Sequence, residues 1–295
     1  MTSSSNDTGP ATIAARPVDV VIVNFNAAAH LDACLASVAG VAGVNSVTVV
    51  DNASTDRSAA VVSGHTSVRW LPTGANLGFG RAANRGVAST SAAELVLVLN
   101  PDAIVLPGAV ELLAESLVTR PRCAAVGPRV ENPDGTLYPS ARAFPNLVDA
   151  AGHGFVGLLR ADNRWSRRYL GGDRVDWGSG TAMLVRREAF EAVGGFDEDY
   201  FMYVEDVDLC WRFHAAGWDV HYEPAAGVVH VIGGSSEGRA LRMIAAHHRS
   251  LWRFAARTTS GPQRLMLPLV AIGLGVRTVG AGLKRALRHK PPAVR

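Results

Sequence analysis

Carboxylate and side-chain amide groups cluster at four places along the chain: Asn24 and Asn26, Asp51, Asn100 and Asp102, and Glu205 and Asp206. Oxygen atoms of this kind bind Mg²⁺ or Mn²⁺, and amide groups exchange hydrogen bonds with a nucleotide base. A carboxylate close to a substrate hydroxyl can also take its proton as a general base. The residue types therefore allow metal binding, nucleotide binding and proton transfer, provided that the fold brings them together.

Predicted strands precede the first three of these clusters. The Val- and Leu-rich run 96–99 is typical of a strand buried on both faces of a sheet, and it should stop at Pro101, which cannot donate to a sheet ladder. Apolar runs at 18–23 and 47–50 likewise end in polar residues, and helical spacing follows each. Since the carboxyl ends of parallel strands meet at one edge of a sheet, we expect an α/β fold with a shared crevice there. For any single strand end, the alternative is an ordinary polar turn.

A glycine-containing turn, Asn76-Leu77-Gly78-Phe79-Gly80, precedes another predicted helix. The glycines would let the backbone approach a ligand closely. The turn is not a dinucleotide-binding fingerprint, because no Gly-x-Gly-x-x-Gly motif opens a helix directly after the first strand.

Three further side chains need interpretation, and two of them, Trp177 and His230, allow two interpretations each. Trp177, which precedes Gly178 and Ser179, is either a stacking platform for a sugar ring or a core residue. His230 follows an apolar pair and is either a structural histidine or a metal ligand. Asp208 lies in the first turn of a predicted helix, where an acid complements the helix dipole.

Taken in order, these motifs resemble those of the inverting family 2 glycosyltransferases, which have the GT-A fold. The resemblance covers about residues 18–235 and is carried by Asn24-Phe-Asn26, Val49-Val-Asp51-Asn-Ala-Ser-Thr-Asp56, Asn76–Gly80, Asn100-Pro-Asp102, Gly178–Met183, Gly194–Asp197, Glu205-Asp-Val-Asp208 and His230. The residues at 23–26 and 201–212 are similar to those of the rhamnosyltransferase branch, especially to those of actinobacterial enzymes of the cell-wall (arabinogalactan) linker. The resemblance to this family implies a mixed, mostly parallel sheet with a Rossmann-like nucleotide half.

The resemblance also implies a role for each candidate residue. Asp206 would be the catalytic base, and the acceptor would contact Glu205, Trp177, Gly178 and Ser179. The donor nucleotide sugar would contact Asn24, Asn26, Asp51, Asn76, Gly78, Asn100 and Asp102. Mg²⁺ or Mn²⁺ would be bound by Asp102 and His230. The family's Asp-x-Asp motif reads Asn100-Pro101-Asp102 here, so one carboxylate replaces two and the histidine becomes more useful as a ligand.

The expected substrates follow from the same resemblance. The donor would be dTDP-L-rhamnose, and the acceptor would be polyprenyl-diphosphate-linked GlcNAc. A UDP- or GDP-sugar donor in polysaccharide or O-antigen synthesis is an alternative, as is a non-catalytic nucleotide-binding scaffold. The sequence leaves the oligomeric state open.

Charge is distributed unevenly along the chain. Residues 236–295 contain 12 Lys and Arg and a single acid, Glu237, whereas the rest of the chain is acidic in balance. The basic residues alternate with Leu, Ile, Val and Trp, which favours an amphipathic helix on an anionic membrane over binding to nucleic acid. The apolar run Leu265–Val276, interrupted by Pro268 and two glycines, looks too short to span a bilayer.

The domain organisation predicted from these patterns has three parts. Residues 1–17, which lack an apolar signal-peptide region, form a disordered tail. Residues 18–235 form the catalytic domain, divided into a nucleotide half (18–121) and an acceptor half (122–235), and 236–295 form the membrane-associating region. The prolines between Cys123 and Arg174 predict a long loop there. Three cysteines without metal-type spacing indicate a reducing, cytoplasmic location. The basic C-terminal region adds the expectation of a peripheral position at the inner face of the plasma membrane.

Overall fold

The computed structural model describes residues 16–90, 93–145, 173–231 and 240–288. Twelve strands are found in this part of the chain: β1 Val18–Asn24, β2 Val44–Asp51, β3 Val68–Pro72, β4 Leu95–Leu99, β5 Ala103–Val105, β6 Cys123–Glu131, β7 Leu137–Tyr138, β8 Ala141–Arg142, β9 Arg174–Val175, β10 Trp177–Gly178, β11 Ala182–Arg186 and β12 Asp219–His230. The α-helices are α1 Ala28–Val38, α2 Ser58–Ser63, α3 Phe79–Ser89, α4 Ala109–Val118, α5 Arg187–Ala192, α6 Glu205–Ala215, α7 Ala240–Thr258 and α8 Leu267–Arg288; a 3₁₀ turn, Gly261–Met266, leads into α8.

Ten of the strands form one mixed sheet, whose main path has the order β3-β2-β1-β4-β11-β6-β12-β5. The first four strands of this path are parallel, which confirms the predicted mostly parallel sheet. β11 is antiparallel to both of its neighbours, and β12 is parallel to β6 but antiparallel to β5. Because β1, β2 and β4 run in the same direction, their carboxyl ends lie at one edge of the sheet.

Helices cover both faces of this sheet. Alternate residues of β1 point to opposite faces, so that Val20 and Ile22 pack with α1, α2 and α4, while Val21 and Val23 pack with α3, α5 and α6. α3 approaches the sheet at Gly86, where an added Cβ would lie 2.3 Å from Cγ1 of Val21. The central strand β4 is buried along its whole length and ends at Leu99, as its apolar run predicts.

The segment between Cys123 and Arg174 is partly regular, so the prediction of a long loop is wrong for its first part. Cys123–Glu131 is a nine-residue strand between β11 and β12. Pro128 is tolerated because the register between β6 and β12 shifts between Glu223 and Gly227, next to its partner position. Residues 146–172 lie outside the described residues.

The C-terminal apolar segment is longer than the sequence suggested. Pro268 occupies the second position of α8, where a helix tolerates proline, and the helix continues through both glycines. Within the described part of the chain, Gly261–Gly282 is one helical stretch of 22 residues with a mean hydropathy of 1.6, long and apolar enough by length and composition to cross a membrane. The prediction that the run is too short to do so is therefore wrong.

α7 packs on the catalytic body. Phe254 joins a buried cluster with Tyr200, Val204 and Val207, on and just before α6. Ion pairs add to this packing, since the guanidinium groups of Arg253 and Arg257 lie 3.2 Å and 2.5 Å from Asp197. The C-terminal helices therefore contribute to the environment of α6.

Candidate active site

The ends of β1 and β2 are joined by the side chains that follow them. Asn24 and Asp51 are register partners, and Nδ2 of Asn24 donates to Oδ1 of Asp51 over 3.0 Å. The second carboxylate oxygen of Asp51 accepts the backbone N–H of Ser54 at 3.0 Å. Both residues are buried, and Oδ1 of Asn24 has no hydrogen-bond partner in the structure. Together they form a rigid polar floor at this edge of the sheet.

Asn26 and Asn52 project from the next loop positions. Asn26 adopts a left-handed backbone conformation with φ 53°, and its Oδ1 accepts the backbone N–H of Thr55 at 2.7 Å. Asn52, which the sequence analysis did not single out although it follows Asp51, donates to the carbonyl of Gly78 at 3.1 Å. This bond ties the β2 loop to the glycine turn before α3.

The glycine turn is in close contact with the segment that precedes α6. Gly78 has φ 85°, and a Cβ at this position would lie 2.1 Å from the carbonyl oxygen of Phe201. The backbone N–H of Phe79 donates to that same oxygen at 3.1 Å, and the side chain of Asn76 accepts the N–H of Gly78. Glycine is therefore required here both by conformation and by the close approach.

Asp102 lies opposite the end of β12. Its carboxylate Oδ1 is 3.1 Å from Nε2 of His230, and its carbonyl accepts the N–H of Val231. The other ring nitrogen of His230, Nδ1, is buried and has no hydrogen-bond partner among the described residues. Asn100 is fixed by a hydrogen bond from its N–H to the carbonyl of Thr181.

The Asp102–His230 pair fits the ligand set of a partly hydrated divalent cation. Mg²⁺ in nucleotide sites is typically held by one or two carboxylates together with substrate phosphates, and histidine is a common ligand of divalent metals in general. Among the described residues, no group of three or more His, Cys, Asp and Glu side chains is arranged to hold a metal ion by itself. A cation at this pair would therefore depend on ligands from a bound diphosphate.

Glu205 and Asp206 begin α6 in a strained local conformation. The preceding residues Tyr203 and Val204 have φ 65° and 69°, which is unusual for a β-branched residue such as valine. Oδ2 of Asp206 accepts the N–H of Gly180 at 2.8 Å, and its Oδ1 accepts the N–H of Val207 at 2.9 Å. The carboxylate is thus fixed by two backbone donors.

The electrostatic environments of these two carboxyl groups differ. Burial, and then the charge of Asp206, raises the pKa of Glu205 to about 8, and Oε2 of Glu205 is buried without a hydrogen-bond partner. Burial also raises the pKa of Asp206, but the N–H groups of Gly180 and Val207 act in the opposite direction. Because hydrogen bonds to a carboxylate favour its charged form, Asp206 is the better placed of the two to carry a negative charge.

Asp208 has a larger structural role than the helix dipole alone predicts. It is completely buried, accepts a hydrogen bond from Nε of Arg212 at 2.7 Å, and accepts another from the hydroxyl of Tyr200. The guanidinium of Arg257 in α7 lies 3.3 Å from Oδ1, the oxygen that also accepts the Tyr200 hydroxyl. Asp208 therefore connects α6 to α7.

Trp177 packs partly in the core and partly lines the cavity described below. The half-buried indole packs against core residues and donates its Nε1–H to the carbonyl of Ala143 at 2.9 Å. The guanidinium of Arg142 lies 5.5 Å from the centre of the ring system. The neighbouring Ser179 is held by a bond from its N–H to the carbonyl of Ser140.

One cavity of about 1040 Å³ collects most of the predicted site residues. Its lining includes Asn26, Asn76, Gly78, Asn100, Asp102, Trp177, Ser179, Glu205, Asp206 and His230. Asn24, Asp51 and Gly178 are buried and are not among the lining residues. Arg142 and Tyr138 also line it, but they belong to the proline-rich segment in which the sequence carried no periodic signal.

Comparison with protein families and curated proteins gives a consistent result. The model of the family described as "Glycosyl transferase family 2" matches residues 19–194. The N-acetylglucosaminyl-diphospho-decaprenol L-rhamnosyltransferase of Mycobacterium tuberculosis is 39% identical over 293 residues, which cover 92% of this chain and 95% of that protein. Rhamnosyltransferase WbbL of Escherichia coli K12 is 36% identical over 119 residues, which cover 40% of this chain and 44% of that protein.

Solved structures share the fold at low sequence identity. The mannosyltransferase PcManGT of Pyrobaculum calidifontis, in complex with GDP-Man and Mn²⁺, has a TM-score of 0.57 and 18% identity, covering 97% of this chain and 79% of that one. GalNAc-T7 with UDP, GalNAc and Mn²⁺ has a TM-score of 0.61 and 14% identity, covering 88% of this chain and 55% of that one. Both likenesses concern the fold alone.

Proposed function

The chain belongs to glycosyl transferase family 2, and we propose that it is an inverting enzyme that transfers L-rhamnose from dTDP-L-rhamnose to polyprenyl-diphosphate-linked GlcNAc. The similarity to the mycobacterial rhamnosyltransferase over 92% of the chain supports this donor and acceptor. The observation that carries the proposal is the position of Asp206. Its carboxylate is fixed by the N–H of Gly180 and lines the same cavity as Asp102 and His230.

In the proposed reaction, a hydroxyl oxygen of GlcNAc forms a bond to the anomeric carbon of rhamnose. The bond from that carbon to the diphosphate oxygen breaks, and dTDP leaves with the electron pair. Asp206 takes the hydroxyl proton as the general base, and inversion follows because attack comes from the face opposite the leaving group.

The remaining site residues hold the two substrates in place. Asp102 and His230 would hold Mg²⁺ or Mn²⁺, which when bound supplies positive charge to the leaving diphosphate. Asn26, Asn76, Gly78 and Asn100 line the donor side of the cavity. Asn24 and Asp51 are buried beneath these loops. Asp51 would therefore contact the nucleotide base only through a carboxylate oxygen that these loops leave exposed.

On the acceptor side, Glu205, Ser179 and Trp177 line the cavity together with Asp206, and the guanidinium of Arg142 lies over the indole ring. Gly178 lies behind this wall, where an added Cβ would lie 3.7 Å from the Cα of Gly127. This is an ordinary van der Waals distance, so packing against β6 does not by itself require glycine at this position.

The enzyme would work at the cytoplasmic face of the plasma membrane, as a peripheral protein on anionic lipid. One face of α8 and the turn before it exposes the large apolar residues Leu265, Met266, Leu269, Ile272, Val276 and Val279. The opposite face, with Leu267, Val270 and Leu274, is buried against the protein. A helix with one face on protein and one apolar face outward suits a position in the plane of the membrane interface.

The proposal is tested by incubating the full-length protein with Mn²⁺, polyprenyl-diphosphate-linked GlcNAc and one donor at a time. The donors are dTDP-L-rhamnose, UDP-GlcNAc, UDP-galactose and GDP-mannose, and mass spectrometry identifies the lipid product. We expect rhamnosylation from the first donor with an inverted anomeric centre. Transfer only from a UDP- or GDP-sugar would assign the chain to that donor, and binding of nucleotide without any transfer would support a scaffold.

A further inference from the structure

The active-site cavity extends well beyond the polar residues that the proposed reaction uses. Its apolar end is lined by Leu251, Phe254 and Ala255 from α7 and by Val270 and Leu274 from α8. These five residues come from the C-terminal region, whereas the polar end is made by the sheet edge and α6. One continuous cavity therefore connects the catalytic carboxylate to the interior of the C-terminal helix pair.

We infer that this apolar arm, defined by Leu251, Phe254, Ala255, Val270 and Leu274, is the binding channel for the first isoprene units of the acceptor lipid. The inference rests on the proposed function and adds the part of the chain that recognises the lipid. A polyprenyl diphosphate joins a charged head directly to a hydrocarbon chain. The cavity has the same sequence of environments, because Asp206 and Ser179 lie at its polar end and aliphatic and aromatic side chains lie at the other.

The arm belongs to a cavity that is large for a ligand site. Pockets for a single drug-sized ligand typically enclose about 300–1,000 Å³, and this cavity, at about 1040 Å³, lies at the upper end of that range. Thr258, Thr259 and Gln263 add polar groups to the C-terminal part of the lining. The five side chains of the arm itself consist of hydrocarbon only, so an apolar occupant is the one that they favour.

The arm is held rigidly against the catalytic helix. Ser250 of α7 donates its hydroxyl to the carbonyl of Met202 at 3.0 Å, and Phe254 packs in the cluster with Val204 and Val207. α7 and α8 are joined by His248, whose Nδ1 lies 2.6 Å from the hydroxyl oxygen of Thr278. A chain bound in the arm would therefore be positioned relative to Glu205 and Asp206.

α8 links the arm to the membrane surface. Val270 and Leu274 line the arm, while Leu269 and Ile272 of the same helix face outward with 52% and 57% of their surface exposed. α8 therefore lies between the arm and the outward apolar face. A lipid that leaves the bilayer at the outward face would move past this one helix to enter the arm. This placement gives the acceptor a short apolar route to the catalytic carboxylate.

The experiment compares two acceptors that differ only in their hydrocarbon: farnesyl-diphospho-GlcNAc and methyl-diphospho-GlcNAc. Leu251→Trp and Val270→Trp place a large ring in the arm, and each has a control on the same helix at an exposed alanine, Ala245→Trp and Ala271→Trp. We expect the arm variants to lower the ratio of kcat/KM for the farnesyl over the methyl acceptor at least about tenfold, because each excluded methylene loses its transfer free energy. The control variants should keep the wild-type ratio, and circular dichroism should show all four folded.

A second measurement does not depend on turnover. A farnesyl diphosphate with a terminal diazirine is photocrosslinked to the wild-type protein, and the labelled residues are identified by mass spectrometry. Labels at Leu251, Phe254, Val270 or Leu274 support the channel. Labels confined to the outward residues Leu269, Ile272 and Val276, or an unchanged acceptor ratio in folded arm variants, would overturn it while the transferase proposal stands. Labelling of the arm in a protein that transfers no sugar would instead overturn the transferase proposal and keep the lipid channel.

Discussion

Nε2 of His230 lies 3.1 Å from Oδ1 of Asp102, although 128 residues separate them along the chain. The sheet explains this approach, because His230 ends β12 and is the register partner of Ala103, the residue that follows Asp102. In a motif with a single carboxylate, the histidine supplies a second metal-binding atom from another strand. The pair is therefore the part of the site on which metal dependence should rest.

Replacing Asp102 with asparagine should remove most of the effect of Mn²⁺ on nucleotide binding. The variant keeps the shape of the side chain but loses the anionic ligand, and changes at metal sites commonly cost about 10–100-fold in metal affinity. Calorimetric titration with dTDP, with and without Mn²⁺, measures the effect. His230→Gln should reduce it in the same direction.

In the absence of metal, both variants should bind dTDP as the wild type does, which separates metal binding from folding. An Asp102→Asn protein whose affinity still increases with Mn²⁺ to the wild-type extent would rule out this carboxylate as a ligand.

Asp206→Asn should lower the transfer rate by about 10²–10⁴-fold, the usual contribution of a general base. The amide oxygen of asparagine can still accept the N–H of Gly180, so the loop between β10 and β11 should keep its position, although the amide NH2 cannot accept the N–H of Val207. dTDP affinity should be unchanged in calorimetry. Glu188→Gln, an exposed acid in α5, serves as the control and should transfer at the wild-type rate. Near-normal turnover by Asp206→Asn would exclude it as the base.

Glu205 should make the free protein less stable as the pH rises. Its carboxyl is 7% exposed, and its pKa is raised to about 8 by burial and by Asp206. A raised pKa in the folded state means that the stabilising contribution is fully present below the pKa of the unfolded chain and is lost as the pH rises through about 8. Thermal unfolding of the wild type between about pH 5 and pH 9 should therefore show a falling Tm.

The Glu205→Gln variant tests the origin of this trend. Glutamine has no charge to bury, so the variant should have a higher Tm than the wild type at the alkaline end and a flatter profile. Parallel profiles for the two proteins would place the pH dependence elsewhere in the chain.

The sequence predicted the strand ends of the site well because the responsible signals are local. An apolar run followed by Asn100-Pro101 marks the end of β4 regardless of its neighbours, and the same holds for Asn24 and Asp51. Pro128 predicts a break in regular structure, but β6 continues through it. The strand tolerates this proline because its register with the neighbouring strand β12 shifts there, and sequence spacing does not reveal such a shift.

The C-terminal helices show a different limit. Their amphipathic pattern predicts an apolar face, and the sequence alone led us to expect that this face contacts only lipid. The structure packs Phe254 of α7 against Val204 and Val207 and pairs Arg257 with Asp208. Such contacts join segments that are about fifty residues apart, and no periodicity within either segment specifies its partner.

The outward face of α8 provides the last prediction. Leu265, Leu269, Ile272, Val276 and Val279 recur every three or four residues and are 50–83% exposed, so they form one apolar stripe. Burial of one such side chain in the membrane interface contributes about 1.5–3 kcal/mol. Leu269→Glu and Ile272→Glu should each weaken binding to phosphatidylglycerol vesicles at least about tenfold in cosedimentation, whereas dTDP binding should persist.

Point substitutions are preferable to removal of the helix, because Val270 and Leu274 on its other face line the active-site cavity. Ala271→Glu is the matched control, since it adds the same negative charge to α8 at an exposed position that lies outside the stripe. If charge repulsion alone released the protein, this control would lose vesicle binding as strongly as Ile272→Glu does. If the stripe variants instead bound vesicles normally but changed the oligomeric state in size-exclusion chromatography, the stripe would be a contact with a second copy of the chain, and the membrane would have to be reached through another surface.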